Sequence, residues 1–275
     1  MKLFRRVCFV SLLTVTATAA PVLGAELEPS HSRYVLSPAG GGVEVSGDIV
    51  LDFVEDCDER TLEVMTRVSL LFPGAARATR VETYIRQSES SDGVLAFFYE
   101  ERLDDGSPPR RRRGVLRRVD GGVLRMEEEG RAPQDLPGDV ISEIAFNDRV
   151  FARFALGGVE AIEGWYRVFD PTRQDHEFPW VRILLRGADA GRVELLAETE
   201  GRVADKGVVF GERSLGDVYH FEYLSFLPEE ETVPLGQSVS RIDGEGVILV
   251  ELLRWGEVMA LAVLDEYEDL PSPEC

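Results

Sequence analysis

A chain of 275 residues, 44% hydrophobic and 29% charged, is long enough for one large domain or two small ones and too apolar to be wholly disordered. Its 50 acidic residues against 30 basic ones give a formal net charge of −20, which opposes binding to nucleic-acid phosphates. Lysine occurs only at Lys2 and Lys206, so nearly all of the positive charge is arginine.

Residues 1–25 read as an export signal that is removed. Lys2, Arg5 and Arg6 form a positive start, Val7 to Ala20 is an uncharged run of apolar and small residues, and Gly24-Ala25 precede acidic sequence from Glu26. The run is shorter than the ~20 apolar residues of a membrane span, and Pro21 follows it. The mature chain is therefore expected to be exported and not membrane-spanning. Arg5-Arg6 lacks the rest of a twin-arginine motif, and Cys8 lies before the apolar run, too early for a lipid-modified cysteine. Cleavage removes three positive charges and no acids, so −20 becomes −23. It also leaves two cysteines, Cys57 and Cys275. In an oxidising compartment these most simply make one disulfide, with two unpaired thiols as the alternative.

From Val43 the chain reads as β. Alternation runs through VEVSGDIVLDFVEDC, and further strand-like runs occupy 61–72, 80–86 and 94–99. Asp120-Gly121-Gly122 marks a hairpin within 111–129. The segment DVISEIAFNDRVFARFAL from Asp139 spaces its apolar residues as a helix, after Leu136-Pro137-Gly138 and up to Gly157-Gly158. Strand-like runs resume at 158–169, 179–186, 192–203, 207–212, 218–226, 239–254 and 257–264. Many antiparallel strands with short turns predict an all-β sandwich or barrel with one short helix, as a single domain over residues 26–275.

Catalytic signatures are missing. His31, His176 and His220 lack metal-ligand spacing, no glycine-rich nucleotide loop occurs, and Gly236-Gln237-Ser238-Val239-Ser240 lacks the second glycine of a nucleophile elbow. The acidic runs 127–129, 229–231 and 265–269 invite a glycosidase reading, but they are expected to be solvated turns. Trp165, Trp180, Trp255, Tyr166 and Phe169 are expected in the core rather than along a groove. One basic island, Arg110, Arg111, Arg112 and Arg113, stands out on the acidic background. It suits an anionic partner, or a hairpin tip whose charge discourages aggregation.

Several landmarks in order resemble the EipB family of periplasmic cell-envelope-integrity proteins of alphaproteobacteria. They are His31, Arg33, Tyr34 and Leu36; Ser46-Gly47 followed by Cys57; Leu136-Pro137-Gly138 before the helix; Val239-Ser240-Arg241; and the final cysteine. Asp58-Glu59-Arg60 and Asp170-Pro171 depart from the family pattern, marking a divergent member. The resemblance implies a β-spiral, an open barrel-like antiparallel sheet with an internal helix, and a structural disulfide between Cys57 and Cys275. It also implies a non-enzymatic periplasmic role without a cofactor, and a link to a periplasmic TPR-repeat protein. Two other readings remain: a lipid or lipoprotein carrier, expected to show a continuous apolar lining, and an envelope glycan hydrolase, expected to show converging carboxylates.

Overall fold

The computed structural model describes residues 28–40, 42–119, 122–173, 179–204, 218–230, 232–244 and 247–273. The expected export signal, the run at 207–212, His176 and Cys275 lie outside them, as does most of the Asp120-Gly121-Gly122 hairpin signal. In chain order the strands are β1 (Ser30–Gly40), β2 (Glu44–Glu55), β3 (Glu59–Leu71), β4 (Thr79–Ser90), β5 (Leu95–Leu103), β6 (Arg110–Arg118), β7 (Leu124–Glu128), β8 (Gln134–Leu136) and β9 (Val140–Ile141). Helix α1 (Glu143–Ile162) follows, then β10 (Gly164–Phe169), β11 (Trp180–Gly187), α2 (Ala190–Ala204), β12 (Tyr219–Phe226), β13 (Gly236–Ile242), β14 (Ile248–Trp255) and β15 (Val258–Asp269).

All the strands belong to one sheet, in the order β8-β7-β6-β5-β4-β3-β2-β1-β15-β14-β13-β12-β11-β10-β9. The first and last strands pair at its middle, with Ser30 opposite Asp269 and Leu36 opposite Ala262, and Leu270 N–H donates to the Pro29 carbonyl at 2.9 Å. Two runs of strands fan out from this pair, antiparallel throughout except that β9 lies parallel to β10 across α1. Their far edges, β8 and β9, are separated in the chain only by Pro137, Gly138 and Asp139, so the sheet comes nearly full circle and leaves one seam. At that seam a Cβ on Gly138 would stand 2.6 Å from the Gly122 carbonyl oxygen, which only glycine avoids.

Cross-strand register carries one face around the inside: Tyr34 opposite Ile49, Leu51 opposite Val64, Val64 opposite Ile85, Ile85 opposite Tyr99. These residues share a core with Ile144, Phe146, Val150 and Phe151 of α1, so the helix fills the interior. At the seam the two ends overlap. Phe97, on the inward face of β5, packs at 4.9 Å between ring centroids on Phe169, in a cluster with Val140 and Trp180. The strand neighbours of those three, Ile141, Val168 and Val181, point instead into the central core. Strands β5–β8 therefore lie over the outside of β9–β11, and this overlap makes the sheet a spiral.

The described residues form two helices where the sequence led us to expect one. Ser142 caps α1 by accepting the Ala145 N–H at 2.9 Å, and the helix kinks at Gly157-Gly158 and continues to Ile162, so 159–162 is helical rather than extended. The expected strand at 192–203 is α2. Its buried Leu196, Thr199 and Val203 have helical spacing, and Asp189 Oδ1 accepts the Arg192 N–H at 2.9 Å. Helix α2 packs Leu196 and Val203 against Val239, Leu252, Leu261 and Val263 on the outside of the sheet. The run 239–254 is a hairpin, β13 and β14, whose turn pairs Asp243 with Val247. Trp180, Tyr166 and Phe169 are buried, whereas Trp165 is 50% exposed with the Arg182 guanidinium 4.4 Å from its ring centroid.

Candidate functional site

The arginine island is strand β6, not a hairpin tip, and it has counter-charges on both sides. Arg110 donates to Glu101 at 3.0 Å and Arg111 to Glu100 on β5, while Arg113 donates to Glu129 at 2.6 Å and Arg117 to Glu127. The acids at 127–129, expected as a solvated turn, are the other half of this ladder. The Arg111 guanidinium holds the Glu100 carboxyl below its ordinary range, and Arg113 does the same for Glu129. Arg112 differs because it is buried. It donates to Glu128 through Nε at 3.0 Å and Nη2 at 2.7 Å, and Nη1 donates to the Pro171 carbonyl at 3.0 Å and to the Arg173 carbonyl. It thereby fastens the overlapping layer to the segment after β10. The other acidic runs also bond locally: Asp265 and Glu266 each accept Arg33 at 3.4 Å, and Glu230 accepts the Thr232 hydroxyl at 2.7 Å.

Inside the barrel, carboxyl groups from distant parts of the chain converge. Glu143 enters from the first turn of α1, Asp170 follows β10, and Glu251 sits on β14. Tyr223 of β12 feels the charge of all three, and burial together with those charges raises its phenol well above its ordinary value. Gln87 donates to Glu143 Oε2 at 2.9 Å. Burial first, then the neighbouring Asp170, pushes the Glu143 carboxyl well above the usual range. Burial raises Glu251 to about 7 against the opposing pull of the Ser238 and Ser240 hydroxyls, and Ser240 donates to it at 3.0 Å. Glu143 Oε1 and both polar atoms of Asn147, one turn further along α1, are buried with no hydrogen-bond partner among the described residues. Such groups are ordinarily satisfied by enclosed water.

A carboxyl held protonated near neutral pH has the character of a general acid. A glycosidase pair must also flank a bond of its substrate, and Glu143, Asp170 and Glu251 are only 3%, 1% and 5% exposed. The cluster is thus placed to couple α1 to the sheet, not to meet a polymer. Sequence reading did not single out Glu143 or Glu251, and it took Asp170 only as a departure from the family pattern. The available signal was a lone acid, Glu251, inside the apolar run ILVELL.

His31 bonds Asp52 at 2.6 Å on the outer face, and the imidazole pKa of half-buried His220 is lowered by burial and by Arg241. Among the described residues no group of three His, Cys, Asp or Glu is arranged to hold a metal, and no helix is long and apolar enough to cross a membrane. Cys57, in the β2–β3 turn, lines a cleft of about 690 Å³ beside Asp148 and Arg149 of α1. It is not a free thiol.

The overlapping ends, the enclosed helix and the single sheet define a β-barrel-like spiral protein. A solved structure shares this fold: the β-barrel-like protein of domain of unknown function DUF1849 from Brucella abortus, with a TM-score of 0.67 and 15% sequence identity, over 90% of this chain and 100% of that one. DUF1849 corresponds to the EipB family, so the fold implied by the sequence landmarks is the fold found. No family model matches the sequence, and no curated protein matches it.

Proposed function

We propose that this is a non-enzymatic periplasmic protein that supports cell-envelope integrity by binding a protein or an envelope component. What carries the reading is where the EipB-like landmarks fall in the spiral. Gly47 has φ +150°, and a Cβ there would stand 1.9 Å from the Arg67 carbonyl oxygen, so β2 and β3 can pair only with glycine at this point. Gly138 of Leu136-Pro137-Gly138 makes the close approach at the seam, and Ser240 of Val239-Ser240-Arg241 holds Glu251. The shared residues thus serve the demanding points of the fold, which favours common descent over chance similarity of short motifs. A periplasmic TPR-repeat protein is the partner that the resemblance suggests. Deleting the gene should sensitise cells to detergent and to cell-wall antibiotics, with recovery on re-expression. Unchanged sensitivity across both stresses would count against the role.

The Cys57–Cys275 disulfide belongs to the same proposal. Asp269 lies opposite Ser30, and Ser30 opposite Phe53, so the chain leaves β15 two strands, or ~10 Å, from the end of β2 that leads to Cys57. The six residues from Leu270 to Cys275 can span up to ~20 Å. Loss of the bridge should cost about 2–5 kcal/mol, so Cys57→Ser should melt lower than the wild type. Identical melting of the wild type with and without reductant would remove the bridge from the account.

A further inference from the structure

We infer that the outer face of β3–β6 is a binding platform for a neutral glycan chain. Two hollows lie side by side on this face, one of about 520 Å³ and one of about 400 Å³. The first exists because three adjacent strands present small side chains at one level: Ser88 of β4 lies opposite Ala96 of β5, which lies opposite Val115 of β6. Tyr84 and Phe98 stand between the hollows as a ridge, half-buried, with ring centroids 5.9 Å apart and planes inclined at 55°.

The chemistry of the rims selects the ligand class. Arg86 and Arg113 border the first hollow and are matched by Glu63 at 3.6 Å and Glu129 at 2.6 Å. Arg67 and Arg102 border the second, whose lining also holds Glu82 and Glu100. Each hollow is therefore close to electroneutral on a chain of net charge −20. That balance gives an anionic headgroup no net attraction, and the short apolar floor, closed in by charges, cannot follow an acyl chain. It does suit a pyranose ring, whose C–H face packs on an aromatic side chain and whose hydroxyl edge is both donor and acceptor. Planar guanidinium–carboxylate pairs answer such an edge on both counts. Two hollows across one ridge fit successive sugars of a chain better than a single monosaccharide.

The inference stands apart from the envelope reading, because binding is measured on purified protein and the deletion phenotype in cells. The probe is a neutral β-linked N-acetylglucosamine hexamer, titrated at millimolar concentration into the full chain without its signal and followed by amide NMR shifts. Shifts should concentrate at residues 83–88, 96–100 and 113–115. The Tyr84→Ala and Phe98→Ala variants should each weaken binding at least about tenfold, equivalent to ~1.4 kcal/mol, with melting close to wild type. Arg113→Lys keeps the charge but loses the planar fork, and should weaken binding as well. Shifts elsewhere on the surface, no shifts at the solubility limit of the hexamer, or a response to anionic phospholipid vesicles in its place would each overturn the inference.

Discussion

The two halves of the sheet solve the same burial problem differently. Strands β2–β5 largely alternate between buried positions and half-exposed or exposed ones, because it is their inward face that meets the core. Strands β13 and β14, and β15 as far as Val263, are buried almost continuously, because the central core lies on one side and α2 on the other. A single layer against water reads as period two; a strand between two layers reads as an unbroken apolar run. The outer surface of the first half is consequently charged and pitted with hollows, whereas α2 covers part of that of the second. A ligand arriving from solvent finds its opportunities on β3–β6.

The overlap is where the comparison is easiest to break, since it joins the exposed half to the covered one at the seam, on the far side of the barrel from the β1–β15 pairing. Arg112→Met removes the cation that Glu128 and two carbonyls share, leaving Arg131 as the remaining partner of Glu128 at 3.2 Å. Stripping one member of a buried pair costs about 3–5 kcal/mol, and replacing both with apolar residues restores most of it. Urea unfolding of Arg112→Met and of the Arg112→Met/Glu128→Leu pair measures both. A double variant no more stable than the single one would show that the carbonyl bonds, not the ion pair, hold the overlap.

A sharper contrast uses two outward-pointing residues. Leu261 on β15 is fully buried beneath α2, while Val50 on β2 is half-exposed. Leu261→Ala should cost about 2–5 kcal/mol and Val50→Ala well under about 1 kcal/mol, although both lie on the outer face. Equal losses in chemical denaturation would mean that α2 adds little cover.

The same contrast explains how much of the molecule was legible. The alternating strands from β2 to β5 could be read directly, because water on one side imprints a period on the sequence. Helix α1 was legible for the same reason, with Leu136-Pro137-Gly138 before it. Helix α2 was not. Its segment RVELLAETEGRV offers only Leu196, Thr199 and Val203 to the sheet, and its valines and leucines also suit a strand. The Asp189 cap was its clearest local mark. The interior carboxyls escaped because Glu143, Asp170 and Glu251 lie far apart in the chain and meet only when β10, β14 and the start of α1 close around Tyr223. The arginine run was visible, but its neutralisation depends on the β5–β6–β7 register, which single-sequence reading does not supply.

The interior gives the smallest effect and a clear sign. Glu251 has its ordinary value of 4.5 when the chain is unfolded and about 7 when folded, raised by burial. The folded state therefore holds the proton more tightly. Its contribution is fully present below pH 4.5 and is lost as pH rises through about 7. Glu143 is displaced in the same direction, so the two carboxyls add rather than cancel. Glu251→Gln keeps a hydrogen-bonding partner for Ser240 but cannot ionise. Relative to wild type it should gain stability steadily across that window, by no more than roughly 3 kcal/mol on the alkaline side. The gain arises in the interior of the covered half, where burial withholds bulk solvent from the ionised carboxylate. Unfolding free energies of wild type and Glu251→Gln, measured from mildly acidic to mildly alkaline pH, make the comparison. A Glu251→Gln slope identical to wild type would show that water reaches this carboxyl, and that the second half is less sealed than its packing implies.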